Sequence, residues 1–283
     1  MVVHHISDIN NPHLAPYQQV RDRDALGPDG RPGLFIGESA VVIGAMLRAR
    51  VDVVSILTSD RHAERAVAMV DEARRFRHHM TDPEVLLVAD DLLDVTVGFN
   101  IHRGFLAVGR RPAQRTVREV VPIQGQDALL LVVEEINNID NIGQLFRNAA
   151  AFGCSAVILS PGCHDPLYRK SLRVSCGCVL HVPYARSDAW NADLQYLRDD
   201  EGFALLGATG GGEQTLREVA EQLARQQAQP RRIAVIMGAE FTGLCVDTRA
   251  ACTARVKSPM AVGVDSLNVG VAAGVFLSRL TEQ

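Results

Sequence analysis

Arg147 is the residue of this chain whose setting first suggests chemistry. It follows Gly143 by four positions, and on a helix that spacing places both on one face. The glycine leaves open space beside a guanidinium whose rigid planar fork matches a phosphate. Asp140 or Asn141 stands where a cap would accept from the first N–H groups of the helix. The same residues also read as an ordinary capped helix with an exposed arginine. A second group follows the apolar run over residues 233–237: Gly238, then Glu240 in a turn completed by Gly243. Glycine at the carboxyl end of a strand lets a ligand approach the backbone, where open α/β sheets bind their ligands. A tight loop carrying a solvated glutamate is the plainer alternative. The third group has Pro259 after a strand, a glycine-containing loop, Ser266 as N-cap of a last helix, and Asn268 in its first turn. Gly270, Ala272, Ala273 and Gly274 leave that helix a shallow face, suited to close packing rather than catalysis.

Other chemistries fit poorly. The stretch 207–212 (GATGGG) departs from G-x-G-x-x-G, and no strand-end acid follows about twenty residues on, so a dinucleotide oxidoreductase is not expected. All six cysteines lie between Cys154 and Cys252 without a C-x-x-C pair, which points to buried or inert thiols. Among nine histidines, His4–His5 and His78–His79 are adjacent pairs that cannot converge on one ion from a helix face, so no metal is expected. The net charge of −4 gives no global attraction to a polyanion, yet phosphate contacts need only a local positive face. The most lopsided stretch carries Arg103, Arg110, Arg111, Arg115 and Arg118 with no acid. A solvated linker and a phosphate-binding patch both fit it.

Several elements must position these groups. An apolar content of 47% over 283 residues suits one large or two ordinary globular domains. No apolar run is long enough to span a bilayer, and the first residues lack the features of a signal peptide, so a cytoplasmic protein is expected. After a polar opening to about residue 32, strands at 34–36, 53–58, 85–88 and 104–108 alternate with helices at 39–48, 61–77 and 90–97. That pattern predicts a small α/β domain over 1–109. Residues 110–126, with two prolines, read as a linker. Alternation then restarts over 127–283. Strands are expected at 128–133, 156–159, 179–183, 203–208, 233–237 and 253–257, and helices at 142–152, 189–199, 215–227 and 267–279. The continuous apolar run at 128–133 marks a sheet covered on both faces. The fold class is α/β with a mostly parallel sheet.

In this order, residues 141–149 (NIGQLFRNA), 237–244 (MGAEFTGL) and 256–274 (VKSPMAVGVDSLNVGVAAG) resemble the three motifs of the SpoU family of RNA ribose 2′-O-methyltransferases, part of the SPOUT superfamily. Residues 160–177 (SPGCHDPLYRKSLRVSCG) are similar to the segment between the first two motifs. Residues 35–38 (FIGE), 53–58 (VVSILT) and 104–108 (GFLAV) resemble the ribosomal-protein-like RNA-binding domain that precedes many SpoU catalytic units. Where relatives carry Glu-Gly before the first helix, this chain has Glu38 and Ser39.

The resemblance implies a SPOUT-type sheet with a C-terminal trefoil knot and S-adenosylmethionine as methyl donor. It implies that Thr209, Gly210, Gly238, Ser258, Met260 and Leu267 line the cofactor site, largely through backbone atoms. Ser258 stands where relatives carry Ile. It gives catalysis to Arg147, with Asn141, Glu240, Ser266 and Asn268 positioning it and the ribose. A cationic Arg147 that clamps phosphate and stabilises the developing alkoxide is preferred, because a neutral arginine is costly. Lys170 and Arg173 join Arg110, Arg111 and Arg115 as candidate RNA contacts, with helix-surface charge an equal alternative for that pair. A homodimer acting on ribosomal RNA is implied, with transfer RNA, or a noncatalytic ribosome-assembly role, as alternatives.

Overall fold

The computed structural model describes residues 1–18, 33–49, 51–76, 80–98, 104–225 and 230–281. They form two units: residues 1–113 with 167–181, and residues 114–166 with 182–283. Arg103, His78 and His79, and the ends of the helices expected at 61–77 and 215–227, lie outside the described residues.

The first unit is built on strands β1 (Val3–His5), β2 (Leu34–Glu38), β3 (Val53–Ser59), β4 (Glu84–Val88) and β5 (Phe105–Arg110), with helices α1 (Ala40–Arg48), α2 (Ala63–Ala73) and α3 (Asp90–Val97) between them. The sheet order is β1-β4-β3-β5-β2. Its first three strands run parallel, whereas β5 is antiparallel to both β3 and β2. The polar opening segment holds more structure than expected. β1 forms an edge, and a 3-10 turn, Pro12–Tyr17, buries Leu14 and Tyr17 against Ile36, Leu57 and Leu86. Ser39, the departure noted in the sequence, has φ 86° and ψ 150°, a region that is essentially glycine territory.

The second unit opens with a short helix, α4 (Val117–Val120), inside the expected linker. Thr116 caps it, its backbone N–H donating to Glu119 Oε2 at 2.7 Å, and Val117 and Val120 enter the core of this unit with Leu130 and Ala234. Four residues are too few for helical periodicity to be seen in sequence. Then come β6 (Ala128–Val133), α5 (Ile139–Ala151), β7 (Ala156–Leu159), α6 (Arg169–Val174), β8 (Tyr184–Arg186), α7 (Trp190–Gln195), β9 (Ala204–Ala208), β10 (Gln214–Thr215), α8 (Leu216–Arg225), β11 (Arg232–Met237), α9 (Val246–Ala251), β12 (Ala254–Lys257) and α10 (Val269–Thr281). The sheet order is β10-β12-β9-β11-β6-β7-β8 and every pairing is parallel. The strand expected at 179–183 is instead a 3-10 turn, Cys178–Leu180, and β8 starts only after Pro183. Proline has no N–H for the ladder; its carbonyl accepts from Val157 N at 2.9 Å.

Helix α6 packs with the first unit although its sequence neighbours belong to the second. Buried Glu38 explains it. Arg169 Nη1 lies 2.5 Å from Glu38 Oε2 and Arg173 Nη1 lies 3.1 Å from the same oxygen. Gly177, with φ 81°, comes so close to Ala45 that a Cβ would stand 2.4 Å from the alanine methyl. Among the described residues, no helix is long and apolar enough to cross a membrane.

Candidate active site

Because the large sheet is parallel throughout, its strands all end at one edge, where such sheets bind ligands. Strands β12, β9 and β11 are neighbours there, and Ser258, Thr209 and Gly238 are the residues that follow them. The first residues of all three expected cofactor loops thus share one edge. Main chain packs closely on main chain there. A Cβ on Gly238 would stand 2.4 Å from the backbone of Gly243, and one on Gly212 would stand 2.6 Å from Lys257 N. A Cβ on Gly210 would stand 3.5 Å from Asp265 O, so the 258–268 segment lies against the 209–212 turn. Thr209 N donates to Val256 O at 2.9 Å, closing that turn onto β12. Met260 is half-buried and Leu267 is exposed. These loops fit a ligand gripped through main-chain atoms, as a nucleoside-type cofactor is.

The three sequence groups meet through side chains. Asn141 Nδ2 donates to Glu240 Oε1 at 2.7 Å. Asn268 Nδ2 donates to Asn141 Oδ1 at 2.9 Å and to Glu240 Oε1 at 3.1 Å. Asn268 Oδ1 accepts from Gly270 N at 2.9 Å. Asn268, not Ser266, is therefore the cap of α10. Likewise Asn138, not Asp140 or Asn141, caps α5, accepting from Asp140 N at 2.9 Å. Asn141 is freed from capping and turns inward, 3% exposed, to join the node. The shallow face of α10 serves packing within the chain. A Cβ on Gly270 would collide with Gln144 of α5, and Asn148 Nδ2 donates to Gly270 O.

Polar groups that sequence reading passed over hold the loops in place. Glu134, 3% exposed, accepts from Cys245 N at 3.2 Å and from Thr248 Oγ1 at 3.1 Å, and Trp190 Nε1 donates to the same threonine hydroxyl at 2.9 Å. That network anchors the start of α9, just beyond the Glu240 turn. Glu135 has φ 55° and accepts from Ser160 Oγ at 2.8 Å and Gly162 N at 3.2 Å. Arg186 donates to the carbonyls of Ser160, Pro161, Cys163 and His164, at 2.7 to 3.2 Å. Each is a polar residue at a strand end, but no short motif marks any of them.

Arg147 and Ser266 stand apart from the node. Both are exposed, and neither makes a hydrogen bond or ion pair with a described residue. Of the expected RNA contacts, Arg110 ends β5 in the first unit, exposed and paired with Asp52 at 3.1 Å. Arg111 is half-buried there, its N–H donating to Gly33 O at 2.8 Å. Arg115 is exposed in the second unit. Lys170 and Arg173 are on α6, and Arg173 is engaged by Glu38 rather than standing as a free surface cation. Burial pushes the Cys154 thiol up to about 12 and Cys252 up to about 11, so neither is a nucleophile at neutral pH. Cys176 and Cys245 are exposed.

A parallel α/β domain with glycine-bearing loops at its strand ends, knit by three distant polar motifs, belongs to the class of open α/β folds that bind ligands at that edge. Residues 128–278 match the SpoU rRNA Methylase family, and the chain belongs to that family. An uncharacterized tRNA/rRNA methyltransferase of Mycobacterium bovis is 33% identical over 281 residues, covering 99% of this chain and 92% of that protein. A 23S rRNA (guanosine-2′-O-)-methyltransferase of Salmonella typhi is 29% identical over 186 residues, 65% of this chain and 72% of its own. Among solved structures, an rRNA methyltransferase from Sinorhizobium meliloti with bound AdoMet has a TM-score of 0.74 at 21% identity, covering 98% of this chain and 97% of its own. The SpoU methyltransferase AviRb from Streptomyces viridochromogenes, in complex with AdoMet, has a TM-score of 0.74 at 22% identity, covering 96% and 98%. These likenesses extend the shared fold over nearly the whole chain.

Proposed function

We propose that this chain transfers a methyl group from S-adenosylmethionine to a ribose 2′-hydroxyl of RNA, ribosomal RNA foremost. The observation that carries the reading is the Asn141–Glu240–Asn268 node, which ties all three family motifs together in the unit that bears the main-chain cradle. The family it belongs to and the AdoMet-bound proteins of the same fold support it. The cofactor supplies an electrophilic sulfonium methyl. Thr209, Gly210, Gly238, Ser258, Met260 and Leu267 hold that cofactor from the ends of β9, β11 and β12, chiefly through the backbone.

Arg147 remains cationic, clamps the RNA phosphate and stabilises negative charge growing on the ribose oxygen. Its exposure and lack of a described partner leave the guanidinium available for that task. Asn141, Glu240 and Asn268 act as positioning residues, and Ser266 contacts the ribose from the 258–268 segment. Holding oxygen and methyl in line supplies much of the acceleration.

The rest of the reading follows from the same assignment. Residues 1–109 bind RNA, aided by Arg110, Arg111, Arg115 and Lys170. The 258–268 segment, lying against Gly210, forms part of a trefoil knot. The catalytic units pair as a homodimer over the exposed Val271 and Val275 of α10. The reaction takes place in the cytoplasm, without a metal. Transfer RNA is the second substrate reading, because the Mycobacterium bovis relative bears both RNA classes in its name.

The test is nucleoside analysis of ribosomal and transfer RNA incubated with the protein and methyl-labelled cofactor. Label on a ribose 2′-oxygen is the expected result. Label on a base, or none on either RNA, contradicts the reading.

A further inference from the structure

We propose that His4, His13 and Glu84 form a binding site for a divalent transition-metal cation, zinc above all, separate from the methyl-transfer chemistry. The sheet register makes the site. β1 runs parallel to β4 with His4 opposite Leu86. Side chains alternate along a strand, so Glu84, two residues before Leu86, shares the face of His4. The turn Pro12–Tyr17 covers that same face, since Leu14 and Tyr17 pack with Leu86. Asn11 Oδ1 accepts from His13 N at 3.0 Å and fixes where His13 leaves the turn.

The donor atoms converge. His13 Nδ1 is 2.9 Å from Glu84 Oε2, and His4 Nε2 is 3.7 Å from the same oxygen. All three ligand atoms lie within 4.8 Å of one another, and the two imidazole rings are 4.6 Å apart at their centroids. Around a tetrahedral zinc with bonds of about 2.0–2.1 Å, donors stand roughly 3.3 Å apart. Small rotations of side chains held on three backbone elements reach that spacing.

An ordinary ion pair explains less. One imidazole is enough to satisfy Glu84, yet two point at it. His4 Nε2 is shut off from solvent and has no hydrogen-bond partner among the described residues. A cation accepts that idle lone pair, the second imidazole and the carboxylate together. Two nitrogens and one oxygen suit zinc or its first-row neighbours rather than magnesium or calcium. His13 and Glu84 are 41% and 39% exposed in their side chains, which leaves an entry path and room for water as a fourth ligand. Bound there, the cation pins the opening segment to the sheet of the first unit. Sequence spacing concealed the site, because its ligands come from positions 4, 13 and 84 and only the fold brings them together.

The experiment titrates zinc chloride into the full-length protein, stripped beforehand with a chelator, against a chromophoric chelator. One zinc per chain is expected, with a rise in Tm on binding. The His4→Ala/His13→Ala variant should lose affinity by about ten-fold or more, and lose the Tm rise. Glu84→Gln, a gentler change, should weaken binding in the same direction if the double variant folds poorly. A Cys176→Ser/Cys245→Ser variant should keep its zinc. Absence of zinc uptake, or uptake that survives the histidine and Glu84 variants, overturns the proposal, as does uptake abolished by the cysteine variant.

Discussion

The Asn141 node and Arg147 stand on one helix, yet they are opposite in kind. In the node the donors and acceptors of three side chains satisfy one another, and Asn141 is buried. Arg147, farther along α5, is exposed and without a described partner, as is Ser266 in the 258–268 segment. On the proposed function, the difference separates groups that hold geometry from groups that meet substrate. A prebuilt node needs no rearrangement when RNA arrives, and an unpaired guanidinium has no internal ion pair to break.

The largest effect is expected where backbone meets backbone. Gly238→Val places a side chain into the Gly243 main chain. It should abolish cofactor binding by calorimetry and cost about 3 kcal/mol in denaturant titration, the upper range for overpacking. Next comes Glu134→Ala, which strips the acceptor from Cys245 N and Thr248 Oγ1. A loss of about 2 kcal/mol is expected, because buried donors are left unmet. An unchanged unfolding midpoint would show that this network does not hold the loop.

Asn268→Ala removes both a helix cap and a node member. Stability should fall by about 1 kcal/mol, and methyl transfer should fall further than cofactor affinity. Equal losses of both would make Asn268 a cap alone. The smallest expected effect is a gain. Ser39→Gly relieves a backbone conformation that costs a non-glycine residue on the order of 1–3 kcal/mol, partly offset by a more flexible unfolded chain. A net rise of roughly 1 kcal/mol is expected, read as a higher Tm, and a lower Tm would contradict it.

The same contrast governs what was legible in the sequence. The runs at β6 and β7 announced themselves by unbroken apolar residues, and the glycines at Gly238 and Gly243 by their place after a strand. The sequence points to Asp140 or Asn141 and to Ser266 as caps, whereas Asn138 and Asn268 fill those places, because several small polar residues compete at each helix start. Asn141 stands out in the sequence all the same, for its motif rather than its burial. Glu134, Glu135 and Arg186 work through contacts distant in sequence, which no local pattern encodes. Glu38 is the clearest case. Its two arginine partners sit more than 130 positions away and draw α6 into the first unit, where contiguous domain limits could not place it.

The central claim is that one family-motif arginine meets the substrate while the rest of the site holds the donor and the geometry. Arg147→Ala tests it in a single measurement: methyl transfer to RNA at saturating S-adenosylmethionine, with cofactor affinity determined on the same preparation. Transfer should fall by about 10³-fold, in the range seen when one charge-stabilising donor is removed, with cofactor affinity within a few-fold of the parent. Transfer at the parent rate would contradict it and remove Arg147 from the site.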